Sequence, residues 1–403
     1  MVAARTLHLG WGIQSVRALL RLGAEVVCTT TADQASAARA TGAEVVVVQD
    51  PGSVADTLAG LSRRGMQLTD FELICSGLEY YIVQAAVLAE LGHTRGYSWQ
   101  QGLAMRDKAV QKQLVRDAGI PTAQCQVIDR LSDVDRTAVA LPSVLKPLDG
   151  AGTKYTVRLT SAADLDAAVA EFSSVVEGPW LLESFTPGAE FFVDAVVRDG
   201  EMRLCSVSRY LHNMIDIRHG EMVGYVSVRQ AEHAEFYTRI KTFTAGVLRA
   251  LGCQDAVIHL EIFDDDGRFA FGECASRVGG ARVDKLVELA WGIDLHDEWA
   301  RVVLGVASAV PAQPDQALIH YGGMNVRCAT GTVVAMPSAA DVLARDGVVD
   351  VDLRIKPGQP APDHHTASNA RAGQLIVSGA TIDELTARMR AVDDWFYASA
   401  QTR

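Results

Sequence analysis

The stretch HLEIFDDDGRFAFGECASRVGG, residues 259–280, decides how this chain is read. Two apolar segments flank Asp264-Asp265-Asp266-Gly267, which predicts an antiparallel hairpin. Asp265, Asp266 and Gly267 suit a three-residue loop, with Gly267 in the left-handed position that closes it. Asp264 then faces Arg268, Glu261 faces Phe271 and Glu273 faces His259. Side chains alternate along a strand, so His259, Glu261, Phe271 and Glu273 are expected on one face. In that register the two carboxylates are diagonal neighbours, roughly 7–8 Å apart at the backbone, close enough to converge on one divalent ion. A slip of one residue would put them on opposite faces. On its own the hairpin suits a solvated edge with unrelated acids equally well. The acidic turn is not a calcium loop, because Ala275 stands where the twelfth-position Glu belongs.

Working outward, 403 residues predict two or three domains with sizeable cores. Nearly half the residues are apolar and no segment is charge-dense, so a globular protein is expected. A formal net charge of −12 argues against gripping nucleic acid or an anionic membrane through general electrostatics, while leaving room for a local basic pocket. Seven cysteines are scattered without a CxxC pair, as in reduced thiols rather than a disulfide framework or a zinc site. The strand-like Thr6-Leu7-His8-Leu9 follows no basic leader, and the longest apolar runs fall short of a membrane span. A cytoplasmic protein is expected.

Strands are expected at Thr6–Leu9, Glu25–Cys28, Glu44–Val48 and Glu72–Cys75, alternating with helices as in a parallel sheet with crossovers. Gly10-Trp11-Gly12 opens like a dinucleotide fingerprint, but Ser15 occupies the third glycine position, and a tight strand-to-helix turn is the better reading. Arg106–Ala118 reads as a helix with Val110, Leu114 and Ala118 along its apolar stripe, stopped by Gly119 and Pro121. Leu141–Pro147 and Tyr155–Leu159 then predict an antiparallel hairpin, followed by a helix after Ser161, a strand at Trp180–Glu183 and a second hairpin of Phe191–Val197 with Met202–Ser208. A helix near Phe236–Leu251 precedes the acidic hairpin. One long helical stretch, Arg282–Leu304, and strands near Leu318–Cys328 and Gln374–Ser378 follow it.

Lys146 ends a buried-looking strand just before Asp149-Gly150-Ala151-Gly152-Thr153-Lys154. Glycines let backbone amides turn toward phosphate oxygens, and a lysine supplies a point charge. The Walker pattern is absent. A glycine turn beside lysines is by itself usually a solvated hairpin, and a lone Lys108 on a helix carries no signal. Order adds the meaning: a lysine before GIP, the strand PSVLKP, the glycine loop, LLESF, PGAEFFVDAVV, the paired-carboxylate hairpin and ECASRVGG.

In that order these motifs resemble the ATP-grasp superfamily, specifically its carboxylate–amine (L-amino acid) ligases, from about Ala104 to Leu304. The resemblance implies an α/β and α+β architecture: a Rossmann-like parallel-sheet domain (1–105), a linker helix with a small antiparallel lid lobe (106–186) and a larger mixed lobe with a C-terminal subdomain (187–403). It implies that Lys108 and Lys146 contact ATP phosphates and that the loop of Gly150, Gly152 and Thr153 closes over them. Glu183, Ser184 and Phe185 match the hinge whose backbone holds adenine, and Glu190 matches the acid on the ribose hydroxyls. Glu261 and Glu273 match ligands of one or two Mg2+ ions, with Mn2+ as a substitute. Arg277 matches the arginine on the substrate carboxylate or the transferring phosphoryl group, and Gly279 and Gly280 the close turn beside it. His212 and Asn213 open a polar stretch that suits an acceptor pocket and a solvated loop equally. Ala275 stands where many members carry a metal-binding Asn, which leaves the number of ions open.

The implied activity is ATP-dependent activation of a small carboxylic acid, an amino acid by preference, as an acylphosphate. Attack by an amine then gives an amide or dipeptide, ADP and phosphate. Two rivals remain: a bicarbonate-using carboxylase of the purine-biosynthesis type, which Ala275 suits somewhat better, and an ATP-binding regulator without turnover. The expected partners are small-molecule carboxylate and amine substrates, with neither nucleic acid nor membrane. Oligomeric state stays open, a homodimer being ordinary for such enzymes.

Overall fold

The computed structural model describes residues 4–219 and 221–403. Its first unit is the expected parallel sheet: β1 (Arg5–Leu9), β2 (Glu25–Thr30), β3 (Glu44–Val47) and β4 (Leu73–Cys75), in the order β3-β2-β1-β4. The turn after β1 is held by the buried His8, whose Nδ1 lies 2.9 Å from the Gly10 carbonyl and whose Nε2 lies 3.0 Å from Ser15 Oγ. Ser15 fills the space a fingerprint glycine would leave open, since a Cβ on Gly12 would sit 2.6 Å from its Oγ. The turn is thus a packed strand-to-helix corner.

A second sheet is antiparallel: β5 (Cys125–Ile128), β6 (Ser143–Pro147), β7 (Val157–Leu159) and β8 (Trp180–Ser184), in the order β5-β8-β6-β7. The helix Ala162–Phe172 begins at Ser161, whose hydroxyl accepts from the Asp164 N–H while the Asp164 carboxylate accepts from the Ser161 N–H. Leu145, Leu159, Leu165, Phe172 and Trp180 form its core, with Phe172 and Trp180 stacked at 5.8 Å. This lobe is small, and its glycine loop joins β6 to β7.

The third sheet is built from β9 (Ala189–Arg198), β10 (Glu201–Tyr210), β11 (Gly224–Ser227), β12 (Ala256–Asp265), β13 (Arg268–Ala275), β14 (His320–Val326), β16 (Val348–Leu353) and β17 (Gly373–Gly379); β15 (Val333–Ala335) and β18 (Gln401–Thr402) pair separately. The order is β13-β12-β9-β10-β11-β14-β17-β16, which leaves β13 at one edge. β5, β11, β16 and the helix Ile382–Ser399 are additions to the sequence reading. The stretch 282–304 is two helices, Val283–Trp291 and Leu295–Leu304, not one. Gly292, at φ 70°, closes the first, and the Asp294 carboxylate caps the second by accepting from the His296 and Asp297 N–H groups. Among the described residues no helix is long and apolar enough to cross a membrane.

The acidic hairpin corrects the expected register. Asp265 pairs with Arg268, so the loop is two residues, Asp266 (φ 49°) and Gly267 (φ 84°), both left-handed. Continued unbroken, that pairing would turn Glu261 and Glu273 to opposite faces. A bulge prevents this: Ile262 pairs with Phe271 and Leu260 with Cys274, so Gly272 and Glu273 together oppose Glu261. The extra residue returns Glu273 to the Glu261 face. Glycine is required at the bulge, because a Cβ on Gly272 would lie 2.9 Å from the Glu261 carbonyl oxygen and 3.1 Å from its Cβ. Phe271 leaves the shared face and packs in the core with its partner Ile262, both fully buried.

Candidate active site

The helix Lys108–Asp117 starts at Asp107, whose carboxylate accepts from the Ala109 and Val110 N–H groups at 2.9 Å. Its buried face carries Lys108, Gln111, Lys112 and Val115, while Ala118, expected on the apolar stripe, is exposed just past its end. The face is polar because it lies against the bulged edge strand. Lys108 Nζ donates to the Gly150 carbonyl at 2.7 Å and lies 3.5 Å from Glu273. Lys112 Nζ donates to the Gly272 carbonyl at 3.0 Å and lies 3.1 Å from Glu183. Lys146, at the end of β6, meets the other Glu183 oxygen at 2.7 Å. One carboxylate thus holds two lysines side by side.

These groups line a cleft of about 980 Å³, measured out to open solvent, walled by the helix Lys108–Asp117, the second and third sheets and Ser368. Of the residues implied by the resemblance, it gathers Lys108, Lys146, Gly150, Gly152, Thr153, Glu183, Phe185, Glu190, Asn213, Glu261 and Glu273. The glycine loop turns sharply, with Gly152 at φ 66° and Thr153 at φ 56°. Ser368, from the segment before β17, closes on it: the Ser368 N–H donates to the Gly152 carbonyl at 2.9 Å and lies 3.2 Å from Thr153 Oγ1. Phe185 stacks beneath the Arg158 guanidinium at 3.8 Å. Glu190 accepts from the Met214 N–H at 2.7 Å, and Asn213 accepts from the Glu190 N–H at 3.1 Å.

Burial and the neighbouring Glu273 and Glu190 push Glu261 up to about 8. Burial likewise lifts Glu190 to about 7, against the Met214 N–H. Burial alone would raise Glu273 too, but Lys108, Lys146, Lys112 and Arg277 hold it down at about 2. The two lysines on Glu183 move apart. Burial wins at Lys112 and lowers it, whereas at Lys146 the sum of Glu183, Glu273 and Glu261 overcomes burial and raises it. Among the described residues no hydrogen bond or ion pair engages the Glu261 carboxylate. A half-buried, unpaired carboxylate beside a second, lysine-held one is the donor set a hard divalent cation takes.

The remaining expected residues stand beside the cleft rather than on its lining. Arg277 is held by Glu79, which follows β4: its Nε and one terminal nitrogen each lie 2.7 Å from the same oxygen, while Arg106 takes the other oxygen at 3.0 Å. Gly279 packs on the buried His259–Asp194 pair (2.9 Å), where a Cβ would come within 2.8 Å of both partners. Gly280 has open space around its α-carbon. His212 points to Glu221 at 3.3 Å, and Ser184 bonds to Gln124 through backbone and hydroxyl. Lys112, Gln111, Glu79 and Tyr210 went unnoticed in the sequence. The i, i+3, i+4 spacing of Lys108, Gln111 and Lys112 was the available signal for the first two.

Residues 139–285 match the ATP-grasp domain family. The chain is 22% identical over 334 residues to an L-arginine-specific L-amino acid ligase of Bacillus subtilis, spanning 81% of this chain and 80% of that protein. It is 33% identical over 181 residues to an N5-carboxyaminoimidazole ribonucleotide synthase of Pseudomonas aeruginosa, spanning 43% of this chain and 46% of that one. In three dimensions it matches the crystal structure of an L-amino acid ligase from Bacillus licheniformis at a TM-score of 0.78 and 18% identity, with all of both chains covered.

Proposed function

We propose that this chain, a member of the ATP-grasp superfamily, is an ATP-dependent carboxylate–amine ligase that joins an amino acid to an amine. The observation that carries the reading is the cleft in which Lys108, Lys146 and the glycine loop face Glu261 and Glu273. Its likeness along four-fifths of its length to an L-amino acid ligase supports the choice of substrates.

A carboxylate is a poor acyl donor because oxide would have to leave. In the proposed reaction a carboxylate oxygen attacks the γ-phosphorus of ATP, the bond to the bridging oxygen breaks, and ADP leaves with that electron pair. The amine nitrogen then attacks the carbonyl carbon of the acylphosphate. Phosphate departs with the C–O bonding pair, and the ammonium proton passes to solvent or phosphate. Lys108 and Lys146 would neutralise phosphate oxygens, the amides around Gly150–Thr153 would donate to them, and Arg277 would hold the substrate carboxylate. Glu79 would keep Arg277 aimed. The loop, with Ser368 against it, would keep water from the acylphosphate. Glu261 and Glu273 would hold Mg2+, which supplies Lewis-acid charge stabilisation at the terminal phosphates. The domain bounds 1–105, 106–186 and 187–403 are proposed with this reading, as is a cytoplasmic setting, in keeping with seven free cysteines.

A second reading is favoured by the 33% identity to the ribonucleotide synthase over 181 residues: the same phosphoryl transfer with bicarbonate as acceptor. Phosphate release screened over a matrix of amino acids and amines, with and without bicarbonate and with Glu273→Gln as the blank, tests both. ADP and phosphate formed only when an acid and an amine are both present support the ligase. Bicarbonate dependence would select the second reading, and AMP with pyrophosphate, or undiminished activity of Glu273→Gln, would overturn both.

A further inference from the structure

The bulge that aims Glu273 lies on the edge strand β13. The outer side of this strand is held before the bulge at Phe271, where the N–H donates to the Pro121 carbonyl at 2.8 Å and Thr122 Oγ1 donates to the Phe271 carbonyl at 3.0 Å. It has no neighbouring strand to fix the register of the bulged residues beyond it. Regular pairing from the tight Asp266-Gly267 turn would send Glu273 to the core face. Something must therefore hold the bulged backbone from its free side. The buried side chain of Gln111 meets that need. Its Nε2 donates to the Cys274 carbonyl at 2.5 Å, and its Oε1 accepts from the Cys274 N–H at 3.0 Å. A primary amide used in both directions reproduces what one residue of an adjacent strand would offer. It does so at the first residue after the bulge, the partner of Leu260 on β12. Lys112, one position on, holds the Gly272 carbonyl, two residues before Cys274, and Lys108 reaches the Glu273 carboxylate itself.

We infer that Gln111 is a positioning residue for the divalent cation site: it locks β13 in its bulged register, so that Glu273 faces Glu261. Unlike Lys108, Lys112 and Glu273, Gln111 is not on the cleft lining, and its two bonds are to backbone only. It acts on the cation through the strand. Removing the amide leaves the buried N–H and C=O of Cys274 unpaired, and the strand regains those bonds most easily by moving.

The inference rests on the assignment of Glu261 and Glu273 as cation ligands, and the test separates the two. Mn2+ binding to the full-length protein with a non-hydrolysable ATP analogue is titrated by electron paramagnetic resonance, alongside analogue binding without metal. The Gln111→Ala and Gln111→Glu variants are compared with the parent. Gln111→Glu keeps the acceptor and loses the donor, and serves if Gln111→Ala fails to fold. The expected result is Mn2+ affinity weakened roughly 10–100-fold, as for other residues that orient metal ligands, with metal-free analogue affinity changed less than about 2-fold. Parent-like Mn2+ affinity in a folded variant overturns the inference. A parent protein that binds no Mn2+ overturns the ligand assignment with it.

Discussion

Glu79 and Arg277 form a buried ion pair between segments 198 residues apart, with guanidinium nitrogens 2.7 Å from one carboxylate oxygen. Glu79 follows β4 of the parallel sheet, and Arg277 follows the bulged hairpin, so the pair ties the first unit to the end of the third sheet beside the cleft. Burial opposes the Arg277 charge, yet Glu79, Glu273 and Glu261 together raise its pKa.

Glu79→Gln is therefore expected to release Arg277 while leaving the lysines in place. Breaking a buried pair from one side costs about 3–5 kcal/mol, so the melting temperature should fall measurably. In steady-state kinetics the KM for the carboxylate substrate should rise at least about 10-fold, with the KM for ATP nearly unchanged. An equal loss in both would show that Glu79 supports the whole cleft rather than Arg277.

Gly272→Ala tests the bulge itself. The added Cβ would meet the Glu261 carbonyl at 2.9 Å and the Glu261 Cβ at 3.1 Å, so the strand must shift. Overpacking of this kind costs about 1–3 kcal/mol in denaturant unfolding. ATP-dependent phosphate release should fall more than about 100-fold, because both carboxylates move. Activity within a few-fold of the parent would mean that the bulge tolerates a side chain and does not aim Glu273.

Local pattern made much of this legible. The four parallel strands follow from short apolar runs separated by helical segments, and the Glu261/Glu273 pair follows from alternation on a hairpin. The common face emerged for a different reason than alternation alone gives: a loop one residue shorter is compensated by a bulge. That compensation depends on space at Gly272, which is set by the neighbouring strand and not by local sequence. The polar face of Lys108, Gln111 and Lys112 escaped notice because lysines on a helix normally point to water. Only the packing of that helix on β13 makes them interior. Glu79 was unreadable for a similar reason, since nothing near it in sequence signals a partner 198 residues away.

His8 makes the first unit acid-sensitive. Its Nδ1 lies against the Gly10 carbonyl, and its Nε2 accepts from the Gly77 N–H at 3.1 Å, so both nitrogens are committed in the neutral ring. Burial pushes its pKa down from 6.5 to about 4 despite the Gly10 carbonyl. Between those values the unfolded chain binds the proton and the folded one does not. Stability is thus lost as pH falls from 6.5 to 4, by up to about 3 kcal/mol from this group. Replacing His8 by Gln should flatten the acid limb of a urea-unfolding series relative to the parent, and an unchanged limb would contradict the assignment.

Glu261 gives the opposite slope. Burial and its acidic neighbours raise it from 4.5 to about 8, so between those values the folded, metal-free protein holds a proton that the unfolded chain has released. Stability from this group is full below 4.5 and is lost as pH rises toward 8. Comparing the pH dependence of unfolding in Glu261→Gln with the parent isolates this term, and the variant should lose less stability between pH 5 and about pH 8. The same proton must leave when a divalent cation binds, since the cation takes the carboxylate. With ATP analogue present, Mn2+ affinity should therefore climb with pH and level off near about 8, with close to one proton released per ion at neutral pH. Calorimetry in two buffers of different ionisation enthalpy counts that proton directly. Metal binding that releases none, with pH-independent affinity, would mean that Glu261 is already ionised and is paired by something other than the cation.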